Sequence, residues 1–159
     1  MSDFKFKTMR HIETVRNYIN YIIAQLLLRG QNHDQSKLEN PELEVFVKYT
    51  PKLKKNPFGS KAYLANLKKM GIAIQHHVSV NRHHPEYFKN GMADMNLVDL
   101  LELICDWKSA TLRIPDGDIF KSLDKNQKRF KYSDELKQIL KNTVILLDSG
   151  GVAHKANES

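Results

Sequence analysis

Residues 97–113, "LVDLLELICDWKSATLR", decide the fold class. Leu97, Leu100, Leu101 and Ile104 recur at three- and four-residue spacing, which puts them on one face of a helix. Asp99, Glu102, Asp106 and Arg113 fall on the other face. Asn96 stands where a cap accepts from the first free amides, and Pro115 stops the helix. A strand would need period-two alternation, and this stretch has none.

The same spacing extends in both directions. Toward the N-terminus, "HIETVRNYINYIIAQLLLR" at 11–29 places Ile12, Val15, Ile19, Ile22, Ile23 and Leu26 on one broad face, and Gly30 reads as its C-cap. A short helical turn is expected at 33–37, and Pro41 suits the first turn of a helix carrying Leu43, Phe46 and Val47. "PKLKKNPFGS" at 51–60 reads as a loop, and Ser60 as the cap of a helix with Tyr63, Leu64, Leu67, Met70 and Ile74 facing in. Gly71 weakens that helix without having to end it. "HHPEYFKNG" reads as irregular, and two further helices are expected at about 117–130 and 133–147. The expectation is an all-α protein: a single compact helical domain over residues 1–147, with six or seven helices. Residues 148–159, "DSGGVAHKANES", are expected to form a disordered tail.

Composition excludes several classes. There is no apolar run of about 18 residues for a membrane span, and "MSDFKFKTMRH" lacks the apolar stretch of a signal peptide. The single cysteine, Cys105, forbids an internal disulfide and suits a reducing cytoplasm. Twenty-five basic against 18 acidic side chains give +7, which favours an anionic partner. A nucleotide or similar small phosphate is the first expectation; the lysines also leave nucleic acid open, and a second copy of the chain is open as well.

The chemistry gathers at His11, at His33-Asp34 with Lys37, at the paired histidines of "QHHVSVNRHHPEYF" (75–88), and at Asp99, Glu102 and Asp106. Neutral imidazole and carboxylate are ligands for Mn, Fe, Co, Ni or Zn, and a His/Asp set without Cys suits a reactive centre better than a structural zinc. His11 shares a stripe with Val15, Tyr18 and Ile22, so it can face inward, although a histidine near a helix start is more often a surface group. Tyr63, Leu67, Met70, Ile74, His77, Asn81 and His84 follow one helical line, which makes His77 the inward member of its pair and leaves His76 on another face. In an unbroken helix His77 and His84 would stand about 10 Å apart, too far for one ion. Either the helix breaks near Ser79–Asn81, or two ions are bound. Asp106, inside the apolar run "LICDW", is the acid on that helix most suited to a pocket.

The order His, His-Asp, His, His-His, Asp resembles the HD superfamily of metal-dependent phosphohydrolases. "HDQSK" is similar to its H-D-x-x-K form. Together with "HHVSVNRHHPEYF" and "LELICDWKSA", it resembles most closely a small uncharacterised HD-like family of bacteria and their phages. Gln35-Ser36 stand where other branches commonly carry Ile-Gly, and Pro85-Glu86-Tyr87 where the cyclic-dinucleotide hydrolases carry Gly-Tyr-Pro, which tells against a cyclic-dinucleotide substrate. The resemblance implies an HD-like helical fold in a bacterial or phage-infected cytoplasm. It implies one or two divalent metals held by His33, Asp34, Asp106 and a histidine from His11 or His77, with His83 or His84 serving a second ion. Lys37, with Arg82 or Arg113, would neutralise charge on a phosphoryl group. Glu86 or Glu102 would orient water, and Asn81 would contact substrate or fix a ligand. A di-iron oxygenase on the same ligands, and a non-catalytic phage protein that binds a nucleotide or a host factor, are the alternatives.

Overall fold

The computed structural model describes residues 2–56, 60–113 and 116–150. Among these residues the chain is all-α, with seven α-helices and three short 3-10 helices and no strand. They fall into two compact units, residues 1–33 and 34–159.

The first unit is essentially one helix, α1 (Ser2–Asn32), of 31 residues and therefore about 46 Å long. It starts well before His11 and does not stop at Gly30. Asp3 and Lys7 form an i,i+4 ion pair of 2.9 Å in its opening turns, and at its end Asn32 Nδ2 donates to the Leu28 carbonyl at 3.0 Å. That side chain satisfies a terminal carbonyl, so the expected glycine cap is not used.

In the second unit a 3-10 turn, Gln35–Leu38, leads into α2 (Glu42–Lys55). The loop expected from Pro51 is corrected here: α2 runs through Pro51 to Lys55. Pro51 occupies an exposed position, where water can take the carbonyl that loses its amide partner, and Lys52, Lys54 and Lys55 face the negative end of the helix dipole. Ser60 Oγ accepts from the Tyr63 amide at 3.2 Å and starts α3 (Lys61–Lys69). At Met70-Gly71 the expected single helix divides, and α4 (Gly71–Val80) follows. Asn81 turns extended, at φ −106° and ψ 113°, so the helix does break between the two histidine pairs.

The segment after α4 is irregular apart from 3-10 turns at Pro85–Tyr87 and Gly91–Asp94. Asn96 then begins α5 (Leu97–Leu112) with a full capping box: its side chain accepts from the Val98 and Asp99 amides, and Asp99 accepts from the Asn96 amide. Helices α6 (Ile119–Phe130) and α7 (Asp134–Ser149) complete the unit. The core lies among α5, α6 and α7, built from Ile104, Ile119, Leu123, Leu140 and Val144, with Trp107 stacked on Phe130 at its edge. Buried Tyr132 donates its hydroxyl to the Leu123 carbonyl at 2.7 Å, so no phenol is stranded in that core. Helix α7 runs to Ser149, slightly past the expected boundary; the expected tail lies, from residue 151, outside the described residues. No helix of the described residues is long and apolar enough to cross a membrane.

Candidate metal centre

Three parts of the second unit build the site. Asp34 opens it with a backbone at φ 59°, ψ 12°, the left-handed region that aspartate tolerates better than most side chains. Helix α4 supplies His77, and the break after Val80 returns the chain so that His83 and His84 come back over His77. The three rings pack on one another, with centroids 4.7 Å apart for His77–His84, 4.3 Å for His83–His84 and 5.8 Å for His77–His83. One ring nitrogen from each of the three lies within 4.8 Å of the other two. Helix α5 supplies Glu102 and Asp106, and the Asp106 carboxylate comes within 4.8 Å of that of Asp34.

The two nitrogens of each key imidazole have different surroundings. Glu42, wholly buried at the start of α2, accepts from His76 Nδ1 at 2.7 Å through one oxygen and from His77 Nδ1 at 2.9 Å through the other. A carboxylate only accepts, so both Nδ1 atoms carry the proton. Asn81 Nδ2 also lies 3.1 Å from His77 Nδ1, but its two N–H groups are spent on Ser36 Oγ and the His77 carbonyl, each at 2.8 Å. The neutral His77 ring therefore presents a bare lone pair at Nε2. That atom is buried, makes no hydrogen bond, and faces Asp34 Oδ1 at 3.3 Å. His83 repeats the pattern: its Nδ1 lies 3.0 Å from Glu102 Oε1, and its Nε2 lies 3.5 Å from the same Asp34 oxygen. Buried His84 Nε2 also makes no hydrogen bond.

Lone pairs aimed at a carboxylate oxygen repel unless a cation lies between them. Burial pushes the His77 pKa down, with Lys37 adding to the effect and Asp34 and Glu42 opposing it. His84 is pushed down to about 3, mainly by burial, then by His83 and His77, against Asp106 and Asp34. The His77 and His84 imidazoles are thus held in the unprotonated form that binds metals. Carboxylates on the far nitrogens of His77 and His83 are the outer partners that orient ligating histidines. The donor set fits a divalent transition metal.

The remaining expected residues have varied surroundings. His11 is exposed on α1, and His33 sits half-buried in the turn that ends the first unit. Lys37 Nζ lies 2.5 Å from Asp34 Oδ2 and over the Phe46 ring at 5.7 Å, at the rim of the cluster. Asn81 ends α4 and ties His77 to Ser36, a positioning role. The expectation that Arg82 faces substrate gives way: its guanidinium makes a two-pronged pair with wholly buried Asp99, at 3.1 and 2.9 Å, and lies over Phe88 and Tyr87. Glu86 accepts from Arg129 of α6 at 2.7 Å, which commits it to a structural ion pair. Glu42 and the Glu102–His83 contact escaped the sequence reading. Glu42 is 35 residues from His77, and nothing local in "NPELEVF" separates it from a solvated helix-start acid.

Residues 1–146 match the profile of DUF5662, a family of unknown function. No curated protein and no solved structure matches the chain.

Proposed function

The chain belongs to that family, and from its site we propose a metal-dependent phosphohydrolase acting on a nucleotide or a similar small phosphorylated substrate. The observation that carries the proposal is the pair of buried imidazoles, His77 and His83. Each has one nitrogen turned to a carboxylate and the other turned to Asp34 Oδ1. Asp34, His77, His83 and His84 are the ligands, with Asp106 beside them.

A divalent metal held by these residues would supply a hydroxide near neutral pH and Lewis acidity toward a phosphoryl oxygen. The chain's own groups do the rest. Glu42 and Glu102 fix the tautomers and orientations of the His77 and His83 rings. Lys37, already drawn toward Asp34, gives positive charge at the rim for the phosphoryl oxygens that gain charge in the transition state. Asn81 keeps the end of α4 closed on Ser36, which holds the return of the chain to His83 and His84.

The test is elemental analysis of the purified protein, followed by a phosphate-release screen across nucleotides with Mn, Co, Ni, Zn or Fe. Asp34→Asn and His77→Ala should each lose metal and activity together. Full metal content in both variants would refute the ligand set. Two irons with oxygen-dependent turnover would move the site to oxygenase chemistry, and nucleotide binding without turnover would make it a binding protein.

A further inference from the structure

The positive charge of this chain is not spread evenly. Between Val45 and Pro85 there are seven lysines and Arg82, and no Asp or Glu. Of 25 basic and 18 acidic side chains, this stretch holds eight of the former and none of the latter. It thus accounts for the whole excess of +7 and leaves the remaining chain one unit negative. Arg82 is taken by Asp99, so the outward charge is lysine alone.

The structure gathers these lysines on two helices packed against each other, α2 and α3. Lys48, Lys52, Lys55, Lys61, Lys68 and Lys69 are all exposed. Spacings of four and three put Lys48, Lys52 and Lys55 on one flank of α2, beside the face that carries buried Glu42 and half-buried Phe46, Tyr49 and Leu53. Lys48 and Lys52 both lie over the Tyr49 ring, at 5.5 and 5.0 Å, so one aromatic ring gathers two ammonium groups. From Lys48 to Lys55 the helix rises about 10 Å, on the order of three phosphates along one nucleic-acid strand. By contrast, the lysines of α6 and α7 sit among acids: Lys137 pairs with Asp124 at 2.5 Å and Lys121 with Asp118 at 3.7 Å.

We propose that the lysine flank of α2 and α3 is a docking surface for the phosphate backbone of a nucleic-acid strand. The segment that carries this charge is also the one that delivers His77, His83 and His84. Binding itself needs no metal, so it stands or falls separately from the proposed activity.

The experiment is fluorescence anisotropy of the full chain with a labelled 20-nucleotide single strand, in EDTA, at 50–200 mM salt. Log affinity should fall linearly with log salt, and the triple variant Lys48→Ala/Lys52→Ala/Lys55→Ala should flatten that slope by about 2. The Lys→Arg version of the triple should keep the wild-type slope. Lys121→Ala/Lys125→Ala/Lys128→Ala, with the same loss of charge, should leave it unchanged. All six positions are exposed, and a thermal melt checks that each variant is folded. No binding at 50 mM salt, equal effects of the two alanine triples, or tighter binding to phosphatidylserine vesicles than to the strand would each overturn the proposal.

Discussion

Glu42→Gln is the sharpest perturbation of the centre, because it keeps shape and removes one acceptor. The wild-type carboxylate, itself wholly buried, takes one hydrogen bond from half-buried His76 and one from buried His77, at 2.7 and 2.9 Å. Glutamine keeps one acceptor oxygen and sets an amide NH₂ against the other Nδ1–H. One bond is lost and two buried donors oppose each other, a cost of about 1–3 kcal/mol. In a chain of this size that lowers the Tm by about 2–4 °C per kcal/mol. His77 can relieve the clash by moving its proton to Nε2, but that covers the lone pair aimed at Asp34. Even where the glutamine oxygen stays on His77, that ring loses its anionic outer partner, so metal affinity falls, by about 10–100-fold as for other outer-partner losses. The assay is a Co(II) titration followed by visible absorption, beside a thermal melt of the metal-free protein. Wild-type affinity together with a wild-type Tm in the Glu42→Gln protein would refute the assignment of the His77 tautomer and with it the centre.

Two further outcomes follow from the same geometry. Arg82→Gln leaves the Asp99 carboxylate buried without its guanidinium; with Arg82 itself 39% exposed, the loss is about 3 kcal/mol, at the low end for buried pairs, read as a fall in Tm, and Lys at 82 should not restore the two-pronged pair. Metal-free protein should lose stability as pH falls below about 6.5, because His84 and His77 take a proton more readily unfolded than folded; the His84 part continues to be lost toward pH 3, and His84→Gln should flatten the urea-denaturation profile between pH 7 and 4.5.

Some of this architecture was legible in the chain alone. The α5 cap at Asn96, the Ser60 cap and the inward turn of His77 follow from local signals, namely spacing and side chains that bond to nearby amides, whereas the break at Asn81 was one of two alternatives until the structure showed it. Where the helices end was less legible. Gly30 and Pro51 are weak stops, and Asn32 in one case and the exposed setting of Pro51 in the other let the helix continue. Arg82 and Glu86 looked like chemistry because they neighbour histidines in sequence, yet Asp99 and Arg129 hold them.

Periodicity by itself determined that this protein is helical, since that depends on residues three or four apart, but not which face of each helix turns in: Leu97 is 72% exposed and Ile12, Val15, Ile19 and Ile22 are exposed on α1, while Asp99 is wholly buried. Only the tertiary structure decided that His83 and His84 both join His77, that Asp34 Oδ1 is their common focus, and that Glu42 stands behind His76 and His77. Those choices depend on atoms brought within about 3 Å from positions tens of residues apart, and no local pattern in the chain encodes such a meeting.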